Sequence, residues 1–169
     1  MRNLLRVCMT GFALSTMFFQ AHCLAADPPP AATQPADAEQ EALEKQFAKT
    51  MTNAVLVGRF TIEGNDKPPG EEHYTITSAT KIHGDLWLLN ARIQFGNKDV
   101  TIPLILPVKW AGDTPIITVT KMGIPGIGTY TARVLIYDDH YAGTWSGSPT
   151  HRGSLFGKIE HPAATQPAK

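Results

Sequence analysis

Residues 85–110 read DLWLLNARIQFGNKDVTIPLILPVKW, two apolar segments joined by Gly96-Asn97-Lys98-Asp99. In the first segment Trp87, Leu89, Ala91, Ile93 and Phe95 share one face, opposite Asn90, Arg92 and Gln94. Alternation with a period of two marks a half-buried strand, and the Gly-Asn turn folds it back on the next. In the second segment Val100, Ile102, Leu104, Leu106, Val108 and Trp110 form an apolar face, while Pro103 and Pro107 lie on the other. Backbone N–H groups alternate direction along a strand, so the two prolines remove donors from the same edge. Proline is confined to strand edges and bulges. That edge is expected to pair poorly, which predicts a gap in a barrel or the edge of a sandwich.

Working outward, turn signals recur at Gly64-Asn65-Asp66, His83-Gly84-Asp85, Gly112-Asp113, Gly123 to Gly126, Asp138-Asp139 and Ser148-Pro149. Between them lie eight strand-like segments, at 54–63, 71–82, 85–96, 99–110, 114–122, 127–138, 140–147 and 153–160. Turns every dozen or so residues with no helical stretch between them predict antiparallel strands in sequence order. The expected fold is all-β, an eight-stranded up-and-down barrel over 54–160, with the gap beside the fourth strand. A two-sheet β-sandwich is the alternative. Glycines next to large aromatics, as in Gly143-Thr144-Trp145 and Gly147, suit a tightly curved wall.

Before the strands, residues 38–53 predict one short amphipathic helix, with Asp37 as N-cap and Leu43, Phe47 and Met51 on one face. Residues 26–37, Pro/Ala-rich, read as a disordered linker, and 161–169 as a disordered tail. The string PAATQP occurs in both, at 30–35 and 162–167, and reads as biased composition.

The chain opens with Arg2 and Arg6, an uncharged apolar run over Val7–Phe19, and small residues near Ala25 and Ala26. That order predicts a signal peptide, residues 1–25, cleaved near Ala25 or Ala26, and hence a secreted or periplasmic protein. The run is too short to span a bilayer, and no membrane span is expected after cleavage. His22 before Cys23 argues against a lipidation site. Cleavage removes both cysteines, Cys8 and Cys23, so disulfides, thiolate metal sites and a cysteine nucleophile are excluded from the mature chain. It also removes two arginines and no acid, leaving 13 basic and 15 acidic residues. A near-neutral chain without a basic patch is not expected to bind nucleic acid.

The eight strands, the preceding helix and the opening Gly58-Arg59-Phe60 resemble the calycin barrels: lipocalins, fatty-acid-binding proteins and avidin-like proteins. Lipocalins carry Gly-x-Trp at this place, where Phe60 stands here. Fatty-acid-binding proteins have a gap beside the fourth strand. Over about residues 43–160, strings such as GDLWLLNARI, KDVTIPLILPVKWAGDTP and GTYTARVLIYDDHYAGTW resemble a family of uncharacterised exported bacterial proteins. The resemblance implies one compact domain and no activity.

No catalytic or metal-binding residue is expected, and no cofactor. His73, His83, His140 and His151 form no close ligand pair, though three of them meeting at one barrel end would suit zinc. Asp138-Asp139-His140 reads as a polar turn. Glu71 and Glu72, adjacent in a strand, point to opposite faces and do not form an acid–base pair. Ser146 and Ser148 lack a nucleophile elbow, and Gly126-Ile127-Gly128 precedes no helix and is not a phosphate loop. Arg92 and Arg133 are expected outside, in salt bridges.

The candidate ligand-binding residues are Phe60, Trp87, Trp110, Tyr130 and Trp145, which either line a pocket or fill the core. The leading expectation is an exported, non-catalytic β-barrel binding module for a small apolar or amphipathic ligand. The alternatives are an envelope-associated structural or protein-interaction module with a filled core, and a metal-dependent enzyme using turn His and Asp residues. A cavity below a few hundred Å³ would sink small-molecule carriage. An exposed apolar patch or an open edge beside strand four favours interaction with another envelope protein.

Overall fold

The computed structural model describes residues 35–148 and 151–162. Residues 1–25, expected to be a signal peptide, lie outside the described residues, as do 26–34 of the expected linker 26–37 and 163–169 of the expected tail 161–169; residues 35–37, read as linker, are helical instead. One helix, α1 (Pro35–Met51), precedes eight strands: β1 (Ala54–Phe60), β2 (Gly70–His83), β3 (Leu86–Phe95), β4 (Lys98–Ala111), β5 (Thr114–Ile124), β6 (Gly128–Tyr137), β7 (His140–Ser148) and β8 (His151–Glu160). The strands pair antiparallel in sequence order, and β8 pairs back on β1 to close a barrel. Closure excludes the sandwich. It also satisfies the backbone groups that an open sheet would leave at two edges.

The wall is least complete where the two prolines placed it. β4 pairs with β3 along nearly its whole length, from Phe95↔Lys98 to Leu86↔Pro107. With β5 it pairs only from Val108↔Ile117 to Ala111↔Thr114. The Val108 amide donates to the Asp85 carbonyl on the β3 side, at 2.8 Å. Alternation then turns the nitrogens of Pro103 and Pro107 towards β5, where no donor is used. The result is a closed barrel with a local opening between the first part of β4 and the second part of β5.

Of four register shifts in the described ladders, two fall in mid-strand and reset the alternation. In β2 the register slips between Ile76 and Ser78, so that Ala79 is the next buried residue after Ile76. In β5 it slips between Val119 and Met122, with Lys121 at φ 47°. Bulges add twist and help a narrow sheet curl.

Helix α1 closes one end of the barrel. It starts at Pro35, a residue whose fixed φ suits a first turn, and Asp37 lies in that turn. Its inner stripe, Phe47 and Met51, is fully buried. Phe47 meets Trp87 edge-to-face at 4.8 Å and Trp110 at 6.3 Å. The helix is also tied to β2 by Glu44 with Lys81, and by Thr52 Oγ1, which accepts from the Ala79 amide at 3.2 Å. Among the described residues, no helix is long and apolar enough to cross a membrane.

Candidate functional site

The inner faces of the strands are apolar, with one exception. Glu72, on β2, is 2 % exposed and is the only buried charged residue among those described. Its neighbour Glu71 faces outward, 3.9 Å from Arg59. The two adjacent carboxyls thus point to opposite faces of β2, as strand alternation requires.

Tyr74, two residues along the same face, donates to Glu72 Oε2 at 2.8 Å. Tyr141, on β7, donates to Oε1 at 2.9 Å from across two intervening strands. That reach depends on two glycines. Register aligns Tyr141 with Gly157, Gly157 with Gly58, and Gly58 with Glu72. A Cβ on Gly58 would collide with Tyr141 Oη and with the Phe156 carbonyl oxygen, and a Cβ on Gly157 with the Val57 carbonyl oxygen. The Tyr141 ring therefore lies flat over two bare stretches of backbone. Gly58 of the Gly58-Arg59-Phe60 string is there to let it pass.

Burial raises the Glu72 carboxyl above its usual range, because desolvation disfavours the charged form. The two phenol hydrogen bonds, and after them the charge interaction with neighbouring His73, oppose that shift without cancelling it. The same burial, with the carboxylate alongside, pushes the Tyr74 and Tyr141 phenols up, so both stay protonated donors.

Next to this group is a cavity of about 190 Å³. Glu72, Tyr74 and Tyr141 border it, and so do Phe60, Phe95, Tyr130 and Trp145. The space opens where Ala91 and Ala132 stand among larger residues. Among the described residues, no Lys, Arg or His side chain lines it.

The last four aromatics form a closed ring of contacts. Phe60 to Phe95 is 6.0 Å, Phe95 to Tyr130 6.2 Å, Tyr130 to Trp145 6.2 Å and Trp145 to Phe60 6.1 Å between centroids. Three of these pairs are nearly perpendicular, at 80–81°, and the fourth is tilted at 45°. Perpendicular neighbours are the favoured aromatic geometry and also that of adjoining walls. Trp145 is held by its indole N–H, which donates to the Thr61 carbonyl at 3.2 Å.

Of the residues singled out in the sequence, Phe60, Tyr130 and Trp145 meet in this ring, at the end away from α1. Trp87 and Trp110 pack on Phe47 at the helix end and lie outside the cavity lining. Sequence reasoning missed Glu72, Tyr74 and Tyr141. A signal existed for the first two: Glu72, Tyr74 and Ile76 share a parity, and an acid on an apolar parity is worth marking. Nothing in the sequence links Tyr141 to Glu72.

The polar candidates are dispersed. Arg92 makes a two-pronged pair with Asp99 on the outer wall, and Arg133 donates to the Ala132 carbonyl and to Thr120 Oγ1. His140 pairs with its neighbour Asp139 in the β6–β7 turn at 2.6 Å. Among the described residues, no three His, Cys, Asp or Glu side chains gather as a metal site would need.

The fold and interior thus define an eight-stranded antiparallel barrel, compatible with a calycin-like fold, with an apolar cavity carrying one buried acid. No protein-family model, curated protein or solved structure matches the chain, so the functional reading rests on this geometry.

Proposed function

We propose that the chain is an exported, non-catalytic barrel that binds a small apolar or amphipathic ligand in its interior. The observation that carries this reading is the cavity of about 190 Å³, lined by apolar and aromatic side chains with one buried carboxyl. A carboxyl taken from water without a cation costs several kcal/mol, and a filled core built from apolar residues avoids that cost. The leader read in residues 1–25 supports export, to the periplasm or beyond.

At about 190 Å³ the cavity falls below the few hundred Å³ expected of small-molecule carriage, which goes against carriage of an ordinary small molecule and leaves only a much smaller ligand. Pockets for drug-sized molecules run to roughly 300–1,000 Å³, so the cavity excludes such ligands and long lipid chains from full burial. An apolar cavity of about 150 Å³ holds benzene, which sets the scale at about six heavy atoms. The test is an NMR titration of the full chain with benzene and with n-hexanol. Saturable shifts on the Ala91 and Ala132 methyls are expected, and Ala132→Leu, which fills the space, should abolish them. No saturable response from either probe sinks the reading.

One observation favours the protein-interaction reading. Leu135, Ala142 and Phe156 stand side by side on the outer face of β6, β7 and β8. Leu135 is 42 % exposed, Phe156 45 % and the nearby Tyr137 59 %. Sedimentation of the wild type against Phe156→Ser tests its simplest form. Self-association that the variant loses supports it, and a monomer in both removes it.

A further inference from the structure

We propose that the cavity is a site for a small alkylated ammonium ion, with Glu72 as its counter-charge and the Phe60, Phe95, Tyr130 and Trp145 ring as its wall. This rests on reading the cavity as a ligand site and names the chemistry of what enters.

Glu72 is a buried acid with no cationic side chain, among the described residues, hydrogen-bonded to it. Its two donors are phenols, which carry no charge. Among the described residues, no cationic side chain reaches the cavity to balance it. Buried acids are normally paired. Here the partner that pairing calls for has a place to sit, in the space that the carboxyl borders.

The wall around that space suits a cation. The centre of a four-membered ring of centroids about 6 Å apart lies within the roughly 6 Å over which a cation is attracted to an aromatic face. An ammonium ion clothed in methyl groups has the matching surface: apolar outside, so it is not penalised by the Ala91 and Ile93 walls, and charged within. A primary ammonium would bring three N–H groups to a lining whose side-chain acceptors are the Glu72 carboxylate and the tyrosine hydroxyls. The phenols of Tyr74 and Tyr141 already point at the carboxyl and hold its oxygens in place.

Register explains why acid and ring lie together. Glu72 is paired with Phe95 across β2 and β3, and Phe60 is two residues beyond Gly58, which faces Glu72 on β1. Glu72 and Phe95 therefore share one row across the sheet, and Phe60 stands one inward position further along β1.

The test is calorimetric titration of the full chain with choline and with its uncharged carbon isostere, 3,3-dimethylbutan-1-ol, with benzene as the neutral reference. Choline should bind at least tenfold more tightly than the isostere. Glu72→Gln, which keeps the size of the side chain, should bring the two to near parity, and Tyr130→Leu should weaken choline several-fold more than benzene. If the isostere binds as well as choline, or if benzene binds and choline does not, the cation assignment is overturned while the cavity remains a ligand site. If none of the three binds, both readings fall. A preference for choline that survives Glu72→Gln overturns the role given to Glu72. Should that variant fail to fold, the wild-type comparison of choline with its isostere still decides.

Discussion

Replacing Tyr141 by phenylalanine removes one oxygen atom and leaves the ring that covers Gly58 and Gly157 in place. The loss is therefore close to that of one hydrogen bond, without a cavity. That bond ends on a carboxyl oxygen of a residue only 2 % exposed, from a tyrosine itself 2 % exposed, so water does not easily replace it. A hydrogen bond to a charged group contributes about 1.5–3 kcal/mol and one between neutral groups about 0.5–1.5 kcal/mol. The cost should thus depend on whether Glu72 is ionised. Urea unfolding at pH 8 should show Tyr141→Phe less stable by about 2–3 kcal/mol, and at pH 4, where Glu72 is protonated, by about 1 kcal/mol. In a Glu72→Gln background the cost should be about 1 kcal/mol at both pH values. An equal cost at the two pH values in the wild-type background, or a larger one at pH 4, would refute a phenol bonded to a buried ionisable carboxyl.

Other outcomes follow from the same structure. Because desolvation holds the folded-state value of Glu72 above its ordinary 4.5, the folded protein keeps this proton when the unfolded chain has lost it. Stability from this group is full below pH 4.5 and falls as pH rises through the raised folded value; Glu72→Gln should flatten that fall in a pH series of unfolding midpoints. Gly58→Ala forces a methyl group against Tyr141 Oη and the Phe156 carbonyl oxygen, and should cost about 3 kcal/mol or more. Adding Tyr141→Phe should relieve only part of that, since the carbonyl remains, and thermal unfolding of single and double variants reads the difference. Phe47→Ala empties the contact between α1 and Trp87 and should cost about 3–5 kcal/mol by denaturant unfolding. Along β4, the amides of Thr101 and Ile105 face the open side towards β5 and should exchange with deuterium faster than those of Ile102, Leu104 and Leu106, which face β3; uniform protection along β4 would show the opening to be closed in solution.

The strands and their order are legible in the local pattern of the chain. Period-two alternation is a local property, and the turn residues that end each strand are local too, so each of the eight segments lies within three residues of its observed bounds. The local pattern also marks the weak seam: two prolines four residues apart in β4 strip donors from one edge whatever lies beyond it. The inward faces of β1, β3 and β6 were legible for the same reason, and so was the stripe of α1 that seals one end.

What tertiary structure alone decided is which inward residues meet. Alternation says in or out and is silent on height along the barrel, which depends on the register of every ladder at once. That is why five aromatics of equal standing in the sequence divide into two groups, Trp87 and Trp110 with Phe47 at one end, Phe60, Tyr130 and Trp145 with Phe95 at the other. It is also why Tyr141 and Glu72, 69 residues apart, share a hydrogen bond. Their meeting depends on β8 closing onto β1 and setting two glycines in the row between them. Closure of the sheet is a long-range event, and the residues it brings together carry no mark of one another in the chain.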